Sequence, residues 1–318
     1  MANNPAQQVD VSATPSTSQT LVPDTLLDIA YYLKEGLEGV ECQQYCNAHS
    51  FTRAIKLQAE KLQEGNLGAG QYAVFSPVTQ DQLTNLQRIR DARYKTLRFL
   101  YLNDVATLIV KIMSSQIHQV ATHELVHHLR SKIDAMGLFS GLRSTGTATF
   151  QGLQSQKEAD ASFKPSSRPG DAGWPTVILE CGISESLRRL RIDAEWWLKI
   201  SAHDVKIVLL ISASKQQQKI HLEQWESVTI PNPRITCGNN SPLATVPIRI
   251  NEIDITVPVL AGPGPAAAVV NGAPLTLDFT KVFLRQPGPG EGNIILTSCN
   301  WCNKACFHYE QIVKTFGR

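Results

Sequence analysis

The chain has 318 residues, of which 42% are hydrophobic, so it is long and apolar enough to bury a substantial core. Its 30 Lys and Arg residues nearly balance its 28 Asp and Glu residues, which argues against a non-specific coat on nucleic acid. Neither a signal peptide nor a run of about 18 apolar residues is visible, so we expect no membrane partner. The cysteines, 7 in number and scattered, indicate reduced thiols and an intracellular protein, cytoplasmic or nuclear.

Four segments follow one another along the chain. Residues 1–22 are rich in Ser, Thr, Gln and Asn and are predicted to form a disordered leader. Residues 23–93 have apolar residues at helical spacing, which predicts a helical cap. Residues 94–230 carry the most strongly patterned strands and helices and are predicted to form the core. Residues 231–318 combine short β-like runs with Pro and Gly clusters, which predicts a β-rich C-terminal extension.

Within the predicted core, strand-like and helix-like runs of apolar residues alternate. The predicted elements are a hairpin of strands at 95–102 and 107–113, a helix at 117–136, strands at 148–153, 158–163 and 176–181, a helix at 184–200, and strands at 205–212 and 219–225. This order predicts an α/β fold in which helices flank a mixed β-sheet.

Two acidic residues lie in neighbouring predicted strands. Asp160 lies in the strand at 158–163, and Glu180 ends the apolar strand at 176–181. An unpaired buried carboxylate is costly, so Glu180 needs a partner, a proton or a metal ion. Carboxylates that converge from neighbouring strands can bind Mg²⁺, which neutralises a scissile phosphate and lowers the pKa of an attacking water. The pair is a candidate phosphodiesterase site, and a solvated strand end is the simpler interpretation.

Three segments carry a resemblance to a known superfamily: GTATFQGLQSQKEADASFKP, WPTVILECGISESLRRLRIDAEWWL and VKIVLLIS. They place Asp160 after Lys157, and they lead from Pro175 through an apolar strand to Glu180. This arrangement resembles a pattern found in many fungal proteins, which are similar in turn to PD-(D/E)XK restriction-endonuclease-like proteins. The resemblance covers residues 95–226.

The resemblance implies a restriction-endonuclease-like core in which Asp160 and Glu180 bind Mg²⁺ (or Mn²⁺) and hydrolyse phosphodiesters of nucleic acid. The superfamily motif has a Lys two residues after the second acid, where this chain has Gly182. A basic residue from elsewhere would have to replace it, and Arg can stabilise phosphate charge but not act as a general base. The candidates are Lys157, Arg188, Arg189 and Arg191. The predicted catalytic set is Asp160, Glu180, Lys157 and Arg189, and the alternative is a catalytically inactive binding or interaction module on the same fold.

His123, Glu124 and His127 form an HExxH motif on the helix predicted at 117–136. On a helix, His residues at positions i and i+4 face one Zn²⁺, and the Glu between them acts as general base. The sequence lacks the longer HExxHxxGxxH motif, and no second helix offers an obvious third ligand. A zinc metalloprotease is therefore a second alternative, and a polar helix face is the simpler interpretation.

A group of metal-binding residue types lies near the C-terminus, with the spacing C-x2-C-x3-C-x-H: Cys299, Cys302, Cys306 and His308. These residue types suit a structural zinc site, but so short a segment would have to wrap the ion alone. We therefore favour reduced, partly buried thiols beside Trp301 and Phe307.

Overall fold

The structure is a computed structural model that describes residues 29–64, 70–113, 116–146, 148–168, 170, 173–183, 187–214, 218–233, 235, 241–256 and 268–299. The leader predicted at 1–22 lies outside these residues. The helices are α1 (Ile29–Lys34), α2 (Ala48–Gln63), α3 (Gln80–Arg93), α4 (Gln116–Ala135), α5 (Leu187–Ile200) and α6 (Phe279–Phe283). The strands are β1 (Cys42–Gln44), β2 (Tyr72–Ser76), β3 (Leu97–Leu102), β4 (Thr107–Ile112), β5 (Leu142–Ser144), β6 (Thr149–Gln151), β7 (Ser155–Glu158), β8 (Ala161–Pro165), β9 (Val177–Ile183), β10 (Ile207–Ser214), β11 (Lys219–Pro231), β12 (Leu243–Thr256), β13 (Val269–Asn271), β14 (Leu275–Leu277) and β15 (Ile294–Leu296).

The strands β1, β2, β4, β3, β7 and β6 lie side by side in this order in what we call the N-terminal sheet. β1 and β2 are parallel, and the other neighbouring strands are antiparallel. The predicted hairpin is confirmed as β3 and β4, with Leu97 opposite Ile112. The purely helical cap predicted at 23–93 is corrected, because β1 and β2 lie within it and join this sheet. The run Tyr72–Phe75 is buried on both faces, which favours a strand inside a sheet over a surface helix.

Helices α2 and α3 pack on the N-terminal sheet. Asn47 and Thr79 each accept a hydrogen bond from the first turn of the following helix, so polar side chains cap both helix starts. The apolar residues that the two helices bury share one core with the sheet: Phe51, Ile55, Leu83, Leu86, Phe75 and Phe99. The helical spacing that predicted α3 therefore corresponds to its buried face.

The second sheet, which we call the central sheet, has the strand order β13-β12-β11-β10-β9-β8-β5. Its strands from β5 to β11 follow chain order, apart from β6 and β7, which belong to the N-terminal sheet. β9 and β10 are parallel, and their neighbours pair antiparallel, so the sheet is mixed. This architecture confirms the prediction of an α/β fold in which helices flank a mixed β-sheet.

Helices α4 and α5 lie on opposite faces of the central sheet. Leu125 and Leu129 of α4 pack in one apolar core with Leu179 of β9. Leu190 and Trp197 of α5 pack in another with Ile178 of the same strand. Because successive side chains of a strand point to opposite faces, a strand that is covered on both sides must be apolar at nearly every position. β9 meets this requirement except at Glu180.

The C-terminal residues are part of the same core. β12 pairs with β11 along its length and so extends the central sheet. Leu277, Phe279, Val282 and Ile294 pack with the residues that α4 covers, and the Thr176 hydroxyl donates a 2.7 Å hydrogen bond to the Val282 carbonyl. The domain boundaries drawn at residues 94 and 231 stay predictions, and strands from both sides of each boundary share a sheet.

Candidate functional site

Asp160 lies where the chain passes from one sheet to the other. β7 ends at Glu158 in the N-terminal sheet, and β8 begins at Ala161 in the central sheet. The single strand predicted at 158–163 is therefore wrong, because two short strands of different sheets take its place. β8 is the neighbour of β9, so Asp160 lies beside the strand that carries Glu180. The backbone N–H of Cys181 donates a 2.7 Å hydrogen bond to Asp160 Oδ2.

The side chain of Lys111 joins the two predicted metal ligands. Its Nζ donates to Asp160 Oδ2 at 2.7 Å and to Glu180 Oε2 at 2.8 Å. The other oxygen of Glu180, Oε1, accepts a 2.8 Å hydrogen bond from Trp197 Nε1. The prediction that Glu180 needs a partner is thus met by a lysine from β4 and a tryptophan from α5.

Lys157 and Arg189 both contact Asp193, which lies close to Glu180 on the α5 side. Lys157 Nζ lies 3.5 Å from Glu180 Oε1 and 3.0 Å from Asp193 Oδ1. Arg189 Nε lies 3.4 Å from Asp193 Oδ1, and Arg189 Nη1 donates a 2.5 Å hydrogen bond to the Tyr32 carbonyl. The structure therefore brings the whole predicted catalytic set together in what we call the charged cluster: Lys111, Lys157, Asp160, Glu180, Arg189 and Asp193.

Lys111 was not among the predicted site residues, although its sequence context was unusual. It is the only charged residue of the strand TLIVKI, every residue of which is buried. A lone cation in such a strand needs a buried acidic partner, and the apolar run around Lys111 in the sequence already indicates this need. His118 and Arg98 were also missed: His118 Nε2 lies 3.2 Å and Arg98 Nε 3.7 Å from Asp160.

The neighbouring cations favour the ionised forms of Asp160 and Asp193. Burial raises the pKa of Asp160, but Lys111, His118 and Arg98 outweigh it and hold that pKa well below its usual range. The pKa of Asp193 is likewise lowered, because Lys157 and Arg189 outweigh its burial. Burial also opposes the charged form of Lys111, yet Asp160 and Glu180 raise the pKa of Lys111 well above its ordinary value. Lys111 is therefore an ammonium group at neutral pH.

The two acids that Lys111 joins, Asp160 and Glu180, are shielded from solvent, and we call them the acid pair. Glu180 is 0% exposed, Asp160 is 7% exposed and Lys111 is 4% exposed. A phosphodiester must touch the metal-bound nucleophile to be hydrolysed, and a carboxylate without solvent access offers no such contact. The arrangement suits a buried ion network better than an open catalytic cleft.

A divalent ion does not fit this arrangement. An ion bound by Asp160 and Glu180 together would need the position of the Lys111 ammonium, which lies at hydrogen-bond distance from both. Lys157 and Arg98 also lie against these carboxylates and would repel a second cation. The Lys111 ammonium group therefore occupies the place where the resemblance implies Mg²⁺ (or Mn²⁺).

A different set of side chains has metal-binding geometry in the part of the chain that the structure describes. His221, Glu223 and Glu252 lie on β11 and β12 with one ligand atom each within 4.8 Å of the others. Arg249 Nη1 lies 2.9 Å from Glu223 and 2.7 Å from Glu252, so a guanidinium already neutralises both acids. None of the predicted metal ligands belongs to this set.

The HExxH motif lies on α4, as predicted, with His123 and His127 exposed and Glu124 half-buried. Within the described residues, these side chains form no three-ligand set with a further His, Cys, Asp or Glu. The helix is confirmed, and the zinc site stays a prediction. Of the C-terminal motif, Cys299 is described and exposed, whereas Cys302, Cys306 and His308 lie outside the described residues.

The alkaline pH dependence of stability should report on the contact between His118 and Asp160. Burial lowers the pKa of His118, but Cys181 and Asp160 outweigh it and raise that pKa from 6.5 to about 10. The imidazolium therefore stabilises the fold fully below about pH 6.5, and this contribution is lost as the pH rises to about 10. We expect His118→Gln to lower the free energy of unfolding at pH 6 by on the order of a few kcal/mol, and by much less at pH 10.

Urea unfolding of wild type and variant across this pH range measures the effect. His203→Gln is the control of opposite sign, because burial lowers the pKa of His203, so this residue favours folding less at pH 6 than at pH 10. A difference between wild type and His118→Gln that stays constant with pH would contradict the protonated state of His118.

The comparisons with known proteins add little to this geometry. No protein-family model matches the chain, and no curated protein matches it. Among solved structures, it is similar to "a putative nuclease belonging to DUF820" from Anabaena variabilis ATCC 29413, with 16% identity and a TM-score of 0.31. The match covers 42% of this chain and 81% of that one. At this identity and TM-score, the likeness carries no argument about activity. No helix of the described residues is long and apolar enough to cross a membrane.

Proposed function

We propose that this chain is a nuclease-like module that binds nucleic acid without hydrolysing it. The observation that carries the proposal is the position of Lys111, whose ammonium contacts both Asp160 and Glu180 in a buried cluster. The expected Lys of the motif is replaced by Gly182, and the two cations predicted to replace it, Lys157 and Arg189, already form ion pairs within the buried cluster. Lys157 contacts Asp193, and Arg189 contacts Asp193 and the Tyr32 carbonyl.

Nucleic acid is the ligand that the superfamily resemblance implies, and exposed cations at the end of α3 support it. Arg88, Arg93 and Lys95 are exposed, whereas Arg90 and Arg98 of the same stretch are buried beside Glu158 and the Ala159 carbonyl. The exposed three make no ion pair with a described acid. Unpaired cations on one surface segment are the groups that contact phosphates, since they release counterions on binding.

Cleavage and binding should be measured on the same labelled single- and double-stranded DNA and RNA, with Mg²⁺ or Mn²⁺ present. We expect no cleavage by wild type or by Glu180→Gln, and binding that weakens with salt. Cleavage by wild type that is absent in Glu180→Gln would overturn the proposal and identify an active nuclease. Absence of binding to every substrate would overturn the choice of ligand.

Two triple variants test the binding surface. Arg88→Ala/Arg93→Ala/Lys95→Ala is expected to weaken binding and to reduce the salt dependence by about 0.9 in log–log slope for each phosphate that the protein no longer neutralises. The matched control removes three cations that already pair with Glu195, Asp254 and Glu291. That control, Lys199→Ala/Lys219→Ala/Arg285→Ala, should bind as wild type does. Equal weakening in both triple variants would indicate a general effect of net charge.

A further inference from the structure

Strands β11 and β12 extend beyond their neighbours in the central sheet as a two-stranded ribbon. Residues 226–231 of β11 pair with residues 243–248 of β12, and we call this ribbon the arm. β10 pairs with β11 only as far as Glu226, and β13 pairs with β12 only from Asp254 onwards. Among the described residues, no strand therefore flanks the arm beyond Glu226.

One face of the arm is apolar. Directly opposite residues of an antiparallel pair point to the same face, and successive residues of a strand alternate between faces. Alternate positions of the two arm strands form what we call the apolar stripe: Val228, Ile230, Ala244, Val246 and Ile248. Each of these side chains is half-buried, and none belongs to an apolar core that the described residues form. The stripe therefore offers an apolar surface for a partner.

The apolar stripe lies on the face of the central sheet that α6 and β14 cover nearer the core. Gln224 Nε2 donates a 3.2 Å hydrogen bond to the Thr276 carbonyl of β14. The carboxylate of Glu226 forms an ion pair with Lys281 of α6. Val228 is the next alternate residue of the same strand, so its side chain points to the same face.

The described chain ends beside the start of the arm. Asn251 Nδ2, three residues from the arm in β12, donates a 3.1 Å hydrogen bond to the Pro274 carbonyl. The next residue, Leu275, pairs with Leu296, which ends β15. The residues that follow Leu296 therefore start close to the arm, on the face that carries the apolar stripe.

Residues 300–318, which lie outside the described residues, have the sequence pattern of an amphipathic helix. Apolar residues recur at intervals of three or four, which places them on one helix face: Trp301, Ala305, Tyr309, Ile312 and Phe316. The backbone of Ser298 and Cys299 is already helical. At about 1.5 Å per residue a helix over 300–318 is about 28 Å long, whereas six strand residues span about 20 Å. The segment is therefore long enough to cover the arm.

We infer that residues 300–318 form an amphipathic helix that docks its apolar face on the apolar stripe of the arm. Burial of two apolar surfaces against each other favours this contact. Both surfaces belong to one chain and start close together, so docking within the chain has a high effective concentration and outcompetes a second copy. The inference goes beyond the proposed function, because neither the acid pair nor the exposed cations of α3 take part.

The docked helix also decides between the two interpretations of the C-terminal motif. Cys299, Cys302 and Cys306 are three or four residues apart and lie on one side of such a helix. His308 is nine residues from Cys299, or two and a half turns, and lies on the opposite side. The four side chains then cannot bind one zinc ion, and the cysteines stay reduced thiols.

Trypsin digestion of the full-length protein in EDTA tests the docking, with the rate of cleavage after Lys304 followed by mass spectrometry. We expect Val246→Asp and Ile312→Asp each to raise this rate roughly tenfold or more, because a charge in the apolar contact opposes docking and frees the segment. The matched control is Thr245→Asp, which places the same charge on the opposite face of the arm, where Thr245 is exposed beside Thr229. Its rate should equal that of wild type.

The apolar stripe lies outside the described cores, so urea unfolding should show that the arm variants keep the stability of the rest of the fold. Ala244→Asp gives the same test if Val246→Asp does not fold. Cleavage of wild type as fast as that of Val246→Asp would overturn the inference, and so would slow cleavage that requires Zn²⁺. If Val246→Asp converts a dimer to a monomer without faster cleavage, a second copy occupies the stripe and the inference fails.

Discussion

Lys111→Met is expected to lower the free energy of unfolding by about 3–5 kcal/mol, because it leaves Asp160 and Glu180 buried without their shared cation. Methionine keeps most of the volume of the lysine stem, so the loss reports on charge more than on packing. Urea unfolding at neutral pH measures it. The matched control is Lys199→Met, since Lys199 pairs with Glu195 on the half-exposed face of α5 and should cost at most about 1 kcal/mol.

A double-mutant cycle on Lys111 and Glu180 distinguishes a buried ion network from a site whose two acids repel each other. Glu180→Gln alone should also destabilise, because it leaves Lys111 and Lys157 less compensated. The double variant Lys111→Met/Glu180→Gln should lose clearly less than the sum of the two single variants. In an open metal site without its ion, neutralising one of two repelling acids would stabilise the protein. An increase in stability for Glu180→Gln would therefore contradict the buried-network interpretation.

Gly36→Ala is expected to destabilise by about 2–4 kcal/mol, through backbone strain and a clash with α5. Gly36 has a φ of +69°, and a Cβ there would lie 2.6 Å from Arg189 Cα and 2.7 Å from Arg189 N. Both contacts are with the backbone of a buried helix, so one of the two segments must move. The movement would disturb the hydrogen bonds from Arg189 to the Tyr32 and Glu35 carbonyls. Urea unfolding gives the loss of stability.

Gly39→Ala is the control that distinguishes backbone strain from the steric clash expected in Gly36→Ala. Gly39 also has a positive φ, +81°, but a Cβ at this position meets nothing within 4 Å. Its cost should be about 1–2 kcal/mol, which is the cost of left-handed backbone alone. Equal losses in the two variants would show that the segment after α1 does not approach Arg189 as closely as described.

The charged cluster links the N-terminal sheet to the central sheet. Its residues come from β4 and β7 of the N-terminal sheet, from the link at Asp160, and from β9 and α5 of the central sheet. All six residues lie within the core predicted at 94–230, so this core includes β4 and β7 of the N-terminal sheet. We therefore expect the N-terminal sheet to be required for the stability of the core, since its removal would expose the acid pair and remove Lys111.

Sequence by itself determined the features that depend on local pattern. The alternation of apolar runs predicted the β3–β4 hairpin, α4, α5, β9 and β10, because periodicity follows directly from which face of an element is buried. It also identified Asp160 and Glu180 as a candidate acid pair, and Glu180 as an acid that needs a partner, since an ionised group in an apolar strand is costly wherever the strand lies. The catalytic role of these acids stays a prediction.

Only the tertiary structure decided what compensates those acids. Lys111 lies 49 residues from Asp160 and 69 from Glu180, and its approach depends on how two sheets meet at Asp160. Strand order and sheet membership are set by long-range pairing, which leaves no local pattern in the sequence. The split of the strand at 158–163 has the same cause: β7 and β8 pair with different neighbours, so the chain must turn between them. The identity of the cation between the acids is therefore a property of the fold.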